Sequence, residues 1–263
     1  MGLRHFEETE RDYFFGRDRL VADLLAASEV SPLLLVLGAS GSGKSSAVRA
    51  GVIPAWRERT GKRGRVVVFT PDEDPFEGFY LGLSRAGFSQ PEARPAKTPS
   101  PTMLRDRFES LAKPGEPWLV FIDQFEEIFT RTPRREDAQK ALRAFVASLV
   151  DVASDPPEGL RVVLAMRDDF FSNLEGHPGL CAITDGNFRR VSRMDEGELR
   201  AVIRQPAAAH GVAFEPGLVK RILKDVEDPR GRLPLPLLEY TLEALWEKDD
   251  VTDRVLTLDS YEA

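Results

Sequence analysis

The chain has 263 residues, 42% of them hydrophobic and 30% charged, with a net charge of −7. That length accommodates one large α/β domain and a small second one; no run approaches the roughly 18 to 20 apolar residues that span a bilayer, and the acidic balance argues against a dedicated nucleic-acid binder. The charged N-terminus lacks a signal-peptide core, Phe6 stands where a myristoylation signal needs Ser or Thr, and the single cysteine, Cys181, suits a reducing cytoplasm.

Apolar β-rich runs alternate with helical stretches, the signature of a mostly parallel sheet with helices packed on it. In chain order the pattern predicts a helix over Asp18–Ala27, a strand over Leu33–Leu37, a helix over Lys44–Gly51 and a strand over Arg65–Thr70. Helices over Phe76–Arg85 and Met103–Leu111 precede a strand at Trp118–Ile122. A helix over Glu136–Ala153 leads to strands at Arg161–Met166 and Phe188–Val191. The strands are continuous apolar runs, so both sheet faces should be covered. Four prolines mark Gln90–Pro101 as an exposed, extended excursion. The basic clusters Arg57–Arg65 and Arg131–Arg135 read as solvated loops.

Past Ser192 the pattern turns helical. Asp195 and Glu198 make a capping box for a helix that should stop at Pro206. Further helices are expected over Pro216–Glu227 and Leu235–Glu247. The chain therefore divides into an α/β domain over residues 1–192 and a small all-helical lid over 193–263. The terminal VLTLDSYEA begins a new element and reads as cut short.

The strongest chemical signal is GASGSGKS, Gly38 to Ser45, which fits the Walker A pattern directly after a strand and at the head of a helix. Gly38, Gly41 and Gly43 let the backbone curl so that N–H groups around Ser40, Ser42 and Ser46 face phosphate oxygens. The helix adds its positive N-terminal end. Lys44 reaches the β- and γ-phosphates, and the Ser45 hydroxyl completes a Mg²⁺ shell. The second signal is WLVFIDQFEEIF, in which Asp123 ends a strand at the ligand-binding edge of the sheet and can hold Mg²⁺. Either Glu126 or Glu127 could polarise the attacking water. Arg167, just past a strand in RVVLAMRDDF, either meets the γ-phosphate or pairs with Asp168 or Asp169 in a structural turn. FFGRD, Phe14 to Asp18, reads by itself as a turn before a helix. The three histidines share no spacing that makes a metal site or a catalytic dyad.

Together, FFGR, GASGSGKSS with RAGVIPA, DQFEE and MRDDF resemble the STAND class of P-loop NTPases, and more closely its bacterial novel STAND group, relatives of NACHT and apoptotic ATPases. LPLLEYTLEALW and LTLDSYEA extend the likeness almost to the end of the chain. The resemblance implies a three-layer α/β/α P-loop fold with a mostly parallel five-stranded sheet. In it, the strand before Arg167 lies between the P-loop strand and that of Asp123. It also implies ATP/ADP with Mg²⁺ as cofactors and Asp123 as the Mg²⁺-side aspartate. Glu126 takes the catalytic position, Arg167 looks like the sensor arginine, and Gly16–Arg17 look like the adenine-side motif. A lid proline should pack near the base, either Pro236 or, in a shifted register, Pro234. Such proteins carry an effector, a winged helix and a sensor domain in the same polypeptide and work in regulated signalling, bacterial defence among its settings.

These readings favour a cytoplasmic ATPase switch that hydrolyses slowly, its nucleotide state setting domain arrangement and oligomerisation. Two rivals differ in class. A fast-turnover hexameric motor would want an acidic residue after Asp123, where Gln124 stands, and a kinase would want a mobile basic lid, for which Gln90–Pro101 is too proline-rich and too weakly basic. A nucleotide-stabilised scaffold would show no state-dependent change.

Overall fold

The computed structural model describes residues 5–88, 100–227, 234–249 and 254–262. The proline-rich stretch expected to be extended lies, from Gln90 to Pro99, outside the described residues. The chain forms two compact units, one from residues 22–39 and 52–191, the other from residues 1–21, 40–51 and 192–263.

The first unit is built on five parallel strands: β1 (Leu33–Gly38), β2 (Arg65–Phe69), β3 (Trp118–Ile122), β4 (Leu160–Arg167) and β5 (Phe188–Arg190). Their order is β2-β3-β4-β1-β5. β4 thus lies between β1 and β3, as the resemblance implied. Every residue of β1 and β3 is buried, which fits apolar runs covered on both faces. Phe76 and Phe79 from the helix Pro75–Arg85, Phe108 from Met103–Leu111 and Phe145 from Glu136–Ser154 pack with Phe69 and Trp118 into one core. Edge-to-face rings recur there, as in Phe76 against Phe145 with centroids 5.4 Å apart. Asp74 caps the first of these helices by accepting from the Phe76 and Glu77 N–H groups.

The helix after the Walker sequence runs further than expected. An α turn at Lys44–Ser46 widens into a π segment, Ala47–Val52, and continues as the helix Ile53–Thr60. The cause is Pro54. A proline four residues after Ala50 offers no N–H and crowds that carbonyl, and a widened turn relieves both. Arg57 and Arg59 consequently sit on a helix rather than in a loop.

In the second unit, Ile203, Ala207, Leu218, Ile222, Leu238 and Leu245 form a separate core. The helices are Glu196–Ala209, Leu218–Val226 and Leu235–Lys248. The Asp195–Glu198 capping box closes in both directions, at 2.8 and 2.9 Å. The first helix does not stop at Pro206 but ends at Ala209. Ala207 is 5% exposed, and its burial holds the extra residues helical where local sequence would end them. A short parallel ribbon, Ala213–Phe214 with Val255–Leu256, adds strand pairing to this otherwise helical segment. Its second strand, followed by the helix Leu258–Glu262, is the new element foreseen at the chain end.

Candidate functional site

Within the sheet unit, parallel pairing brings the chemical residues of three strands to one edge. Gly38, the first glycine of the Walker sequence, lies opposite Arg167 in the β1–β4 register, and Ile122 lies opposite Leu164 in the β3–β4 register. Asp123 therefore leaves the sheet at the same end as Gly38 and Arg167. It is 1% exposed, and one carboxylate oxygen accepts the Gln124 N–H at 3.0 Å. Gln124 holds a left-handed φ of 50°. That turn lets the Phe125 N–H donate to the Ala165 carbonyl at 2.8 Å while its ring is fully buried.

The two glutamates have different surroundings. Glu127 is buried, and its carboxylate accepts from the Asp72 N–H at 3.0 Å and faces Arg131 Nε at 3.1 Å. Burial raises its pKa despite these partners. Glu126 is half-buried, and its Oε2 accepts the Arg167 N–H at 3.3 Å. The Arg167 guanidinium is 41% exposed and grips Asp169 with two bonds, at 3.0 and 2.5 Å, while stacking over Phe170. Both acids after Arg167 are thus engaged, since Asp168 takes Arg190.

From Ser40 on, the Walker loop belongs to the other unit. Gly41 and Gly43 have φ of 69° and 87°, left-handed values that a side chain would strain. A Cβ on Gly41 would stand 2.9 Å from Pro236 Cγ. The head of the helix Leu235–Lys248 therefore lies directly on the loop, and Leu235 comes near Gly43 as well. Pro234 is an exposed N-cap; the proline of this helix that meets the loop is Pro236. Ser40 is exposed, and the Ser42 hydroxyl is buried with no hydrogen-bond partner among the described residues. Ser46 Oγ accepts the Phe6 N–H at 3.1 Å, and Arg49 one turn on pairs with Glu7 at 3.2 Å. The N-terminal segment is thus strapped along the Walker helix, which sequence reasoning missed.

Gly16 touches the same unit so closely that a Cβ would stand 2.6 Å from the Glu198 carbonyl oxygen. Arg17 beside it is 3% exposed. Its guanidinium donates to the carbonyls of Ser192 at 2.9 Å and Ser42 at 3.2 Å. No spacing rule foretells those partners, because Ser192 is 175 residues away.

Among the described residues no group of three or more His, Cys, Asp or Glu side chains could hold a metal by itself. Taken each in its own unit, Ser45 carries a hydroxyl and Asp123 a carboxylate, hard oxygen donors of the kind Mg²⁺ accepts. Lys44, in the same unit as Ser45, is a cation of the kind that pairs with phosphates.

A parallel sheet in this order, with a Walker loop after β1 and a buried aspartate closing β3, defines a P-loop NTPase. The profile of the Novel STAND NTPase 1 family matches residues 1–263, and the chain belongs to that family of nucleotide-binding NTPases. Among solved structures the chain is similar to the Aeropyrum pernix ORC2 protein in its ADPNP-ADP complexes, at 19% identity and a TM-score of 0.65. That match covers 93% of this chain, which spans 64% of the ORC2 chain. It is also similar to a chain of the E. coli MS115-1 HORMA:CdnC:Trip13 complex, at 14% identity and a TM-score of 0.63, covering 98% of this chain and 91% of that one. At such identities the likeness is one of fold. No curated protein sequence matches the chain.

Proposed function

We propose that this chain is the nucleotide-binding core of a switch that holds ADP or ATP with Mg²⁺ and hydrolyses ATP slowly. Lys44 and the Walker amides take the phosphates, and Ser45 and Asp123 hold the metal. Glu126 orients the attacking water, and Arg167 reads the γ-phosphate. Residues 193–263 act as the lid, and the nucleotide state sets the lid's arrangement and the assembly of copies into homo-oligomers. Effector and sensor domains joined to this core would receive and report that state.

The observation that carries the reading is the contact of Pro236 with Gly41. A loop that also forms the bed for a lid helix cannot reshape around phosphate without that helix sensing it. Two further features favour slow turnover. Gln124 occupies the position where a motor would carry a second acid, and Arg167 is already gripped by Asp169.

The test measures phosphate release and molecular mass by light scattering with MgADP and with a slowly hydrolysed ATP analogue. Turnover well below about one per second, with a mass or shape change between the two nucleotides, is expected. Many turnovers per second, or no difference between the two states, would favour the motor or the scaffold instead. A Lys44→Ala chain should show neither binding nor change.

A further inference from the structure

Arg17 is a guanidinium sealed inside one unit. It is 3% exposed, its Nη atoms bond the Ser192 and Ser42 carbonyls, Glu198 Oε2 lies 3.9 Å away, and its buried Nε has no hydrogen-bond partner among the described residues. Burial lowers its pKa, with Glu198 opposing. Such a group is held for what it fixes, because a buried cation imposes a desolvation cost that surface packing alone does not repay.

The Ser42 carbonyl belongs to the Walker loop. It shares a planar amide with the Gly43 N–H, and no peptide bond among the described residues is cis. In a trans amide the C=O and the N–H point to opposite sides. A carbonyl tied to Arg17 therefore turns the Gly43 N–H, immediately before Lys44, to the side of that peptide away from Arg17.

We propose that Arg17 is a positioning residue that presets the Walker loop for phosphate by fixing the direction of the Gly43 N–H, and that ties the same loop to Ser192 at the start of the lid segment. It acts on the polyphosphate whatever base is attached. This rests on the nucleotide-binding reading above and departs from a role for the Arg17 side chain on the adenine. Gly16 serves the arrangement: with the Glu198 carbonyl against its Cα, only glycine brings Arg17 in at this depth.

The test compares Arg17→Ala and Arg17→Lys with wild type, titrating each calorimetrically with MgADP and with magnesium pyrophosphate. The account expects Arg17→Ala to weaken both ligands by a similar factor, about tenfold or more, with Arg17→Lys between it and wild type because a lysine head restores one bond. Loss of ADP affinity with pyrophosphate binding unchanged would assign Arg17 to the base and overturn the proposal, as would unchanged binding of both. Should Arg17→Ala fail to fold, the ratio of the two losses in Arg17→Lys decides. A wild-type chain that binds neither ligand would overturn the parent reading, whereas normal wild-type binding with indifferent Arg17 variants would overturn this inference alone.

Discussion

Arg17 and Arg167 are the same residue type used in opposite ways. Arg17 is 3% exposed and bonds main-chain carbonyls, acceptors that no substitution can remove. Arg167 is 41% exposed and bonds Asp169, a side chain of its own strand exit. A buried guanidinium on backbone acceptors is a fixed brace, since leaving it means leaving a charge unpaired in a dry interior. A solvent-facing guanidinium on a neighbouring carboxylate can let go cheaply, because such pairs are worth little in water. In the proposed switch one arginine holds a shape and the other exchanges Asp169 for a phosphate.

Five substitutions probe that contrast, and the largest effect should come at the lysine of the Walker loop. Lys44→Ala should weaken MgADP by more than about a hundredfold with an unchanged circular dichroism spectrum, since it deletes the cation of the phosphate grip. Arg17→Ala, besides its effect on affinity, should lower the urea unfolding free energy by about 1–3 kcal/mol, because two carbonyls lose a charged donor. Gly41→Ala should destabilise by about 1–2 kcal/mol through its left-handed backbone and its clash with Pro236. In a Pro236→Ala background the clash is gone, so a double-mutant cycle should return part of that loss, and a strictly additive result would deny the contact between loop and helix. Asp169→Asn should free Arg167 and improve binding of a γ-phosphate analogue relative to ADP by about two- to fivefold; an unchanged ratio would mean that Asp169 is no competitor.

The smallest effect concerns pH. Burial raises Glu127 above the ordinary glutamate value of 4.5. Its share of stability is therefore fully present below that value and is lost as pH rises through the elevated one. Glu127→Gln should flatten the stability profile in that window, and a profile identical to wild type would show that Glu127 titrates normally.

The sheet was legible because its strands are apolar runs long enough to name, and Trp118–Ile122 matches to the residue. The Walker loop was legible because its chemistry demands glycines at fixed positions. What escaped the sequence depends on distant partners. The π segment after Ser46 comes from Pro54 acting back on Ala50, and the helical turn past Pro206 comes from the burial of Ala207. The ambiguity at Arg167 was a real one, since its side chain pairs with Asp169 where the resemblance has a sensor. Glu126 and Glu127 were indistinguishable as letters. Only the fold shows that Glu127 is engaged by Asp72 and Arg131. The partners of Arg17 were hidden because sequence cannot show that Ser42 and Ser192 meet at its side chain.

The most direct measurement is a calorimetric titration of the purified chain with MgADP, run beside Lys44→Ala. The account predicts a saturable heat for about one site per chain in wild type and none in the variant. No heat in wild type, or equal heat in both, would contradict it.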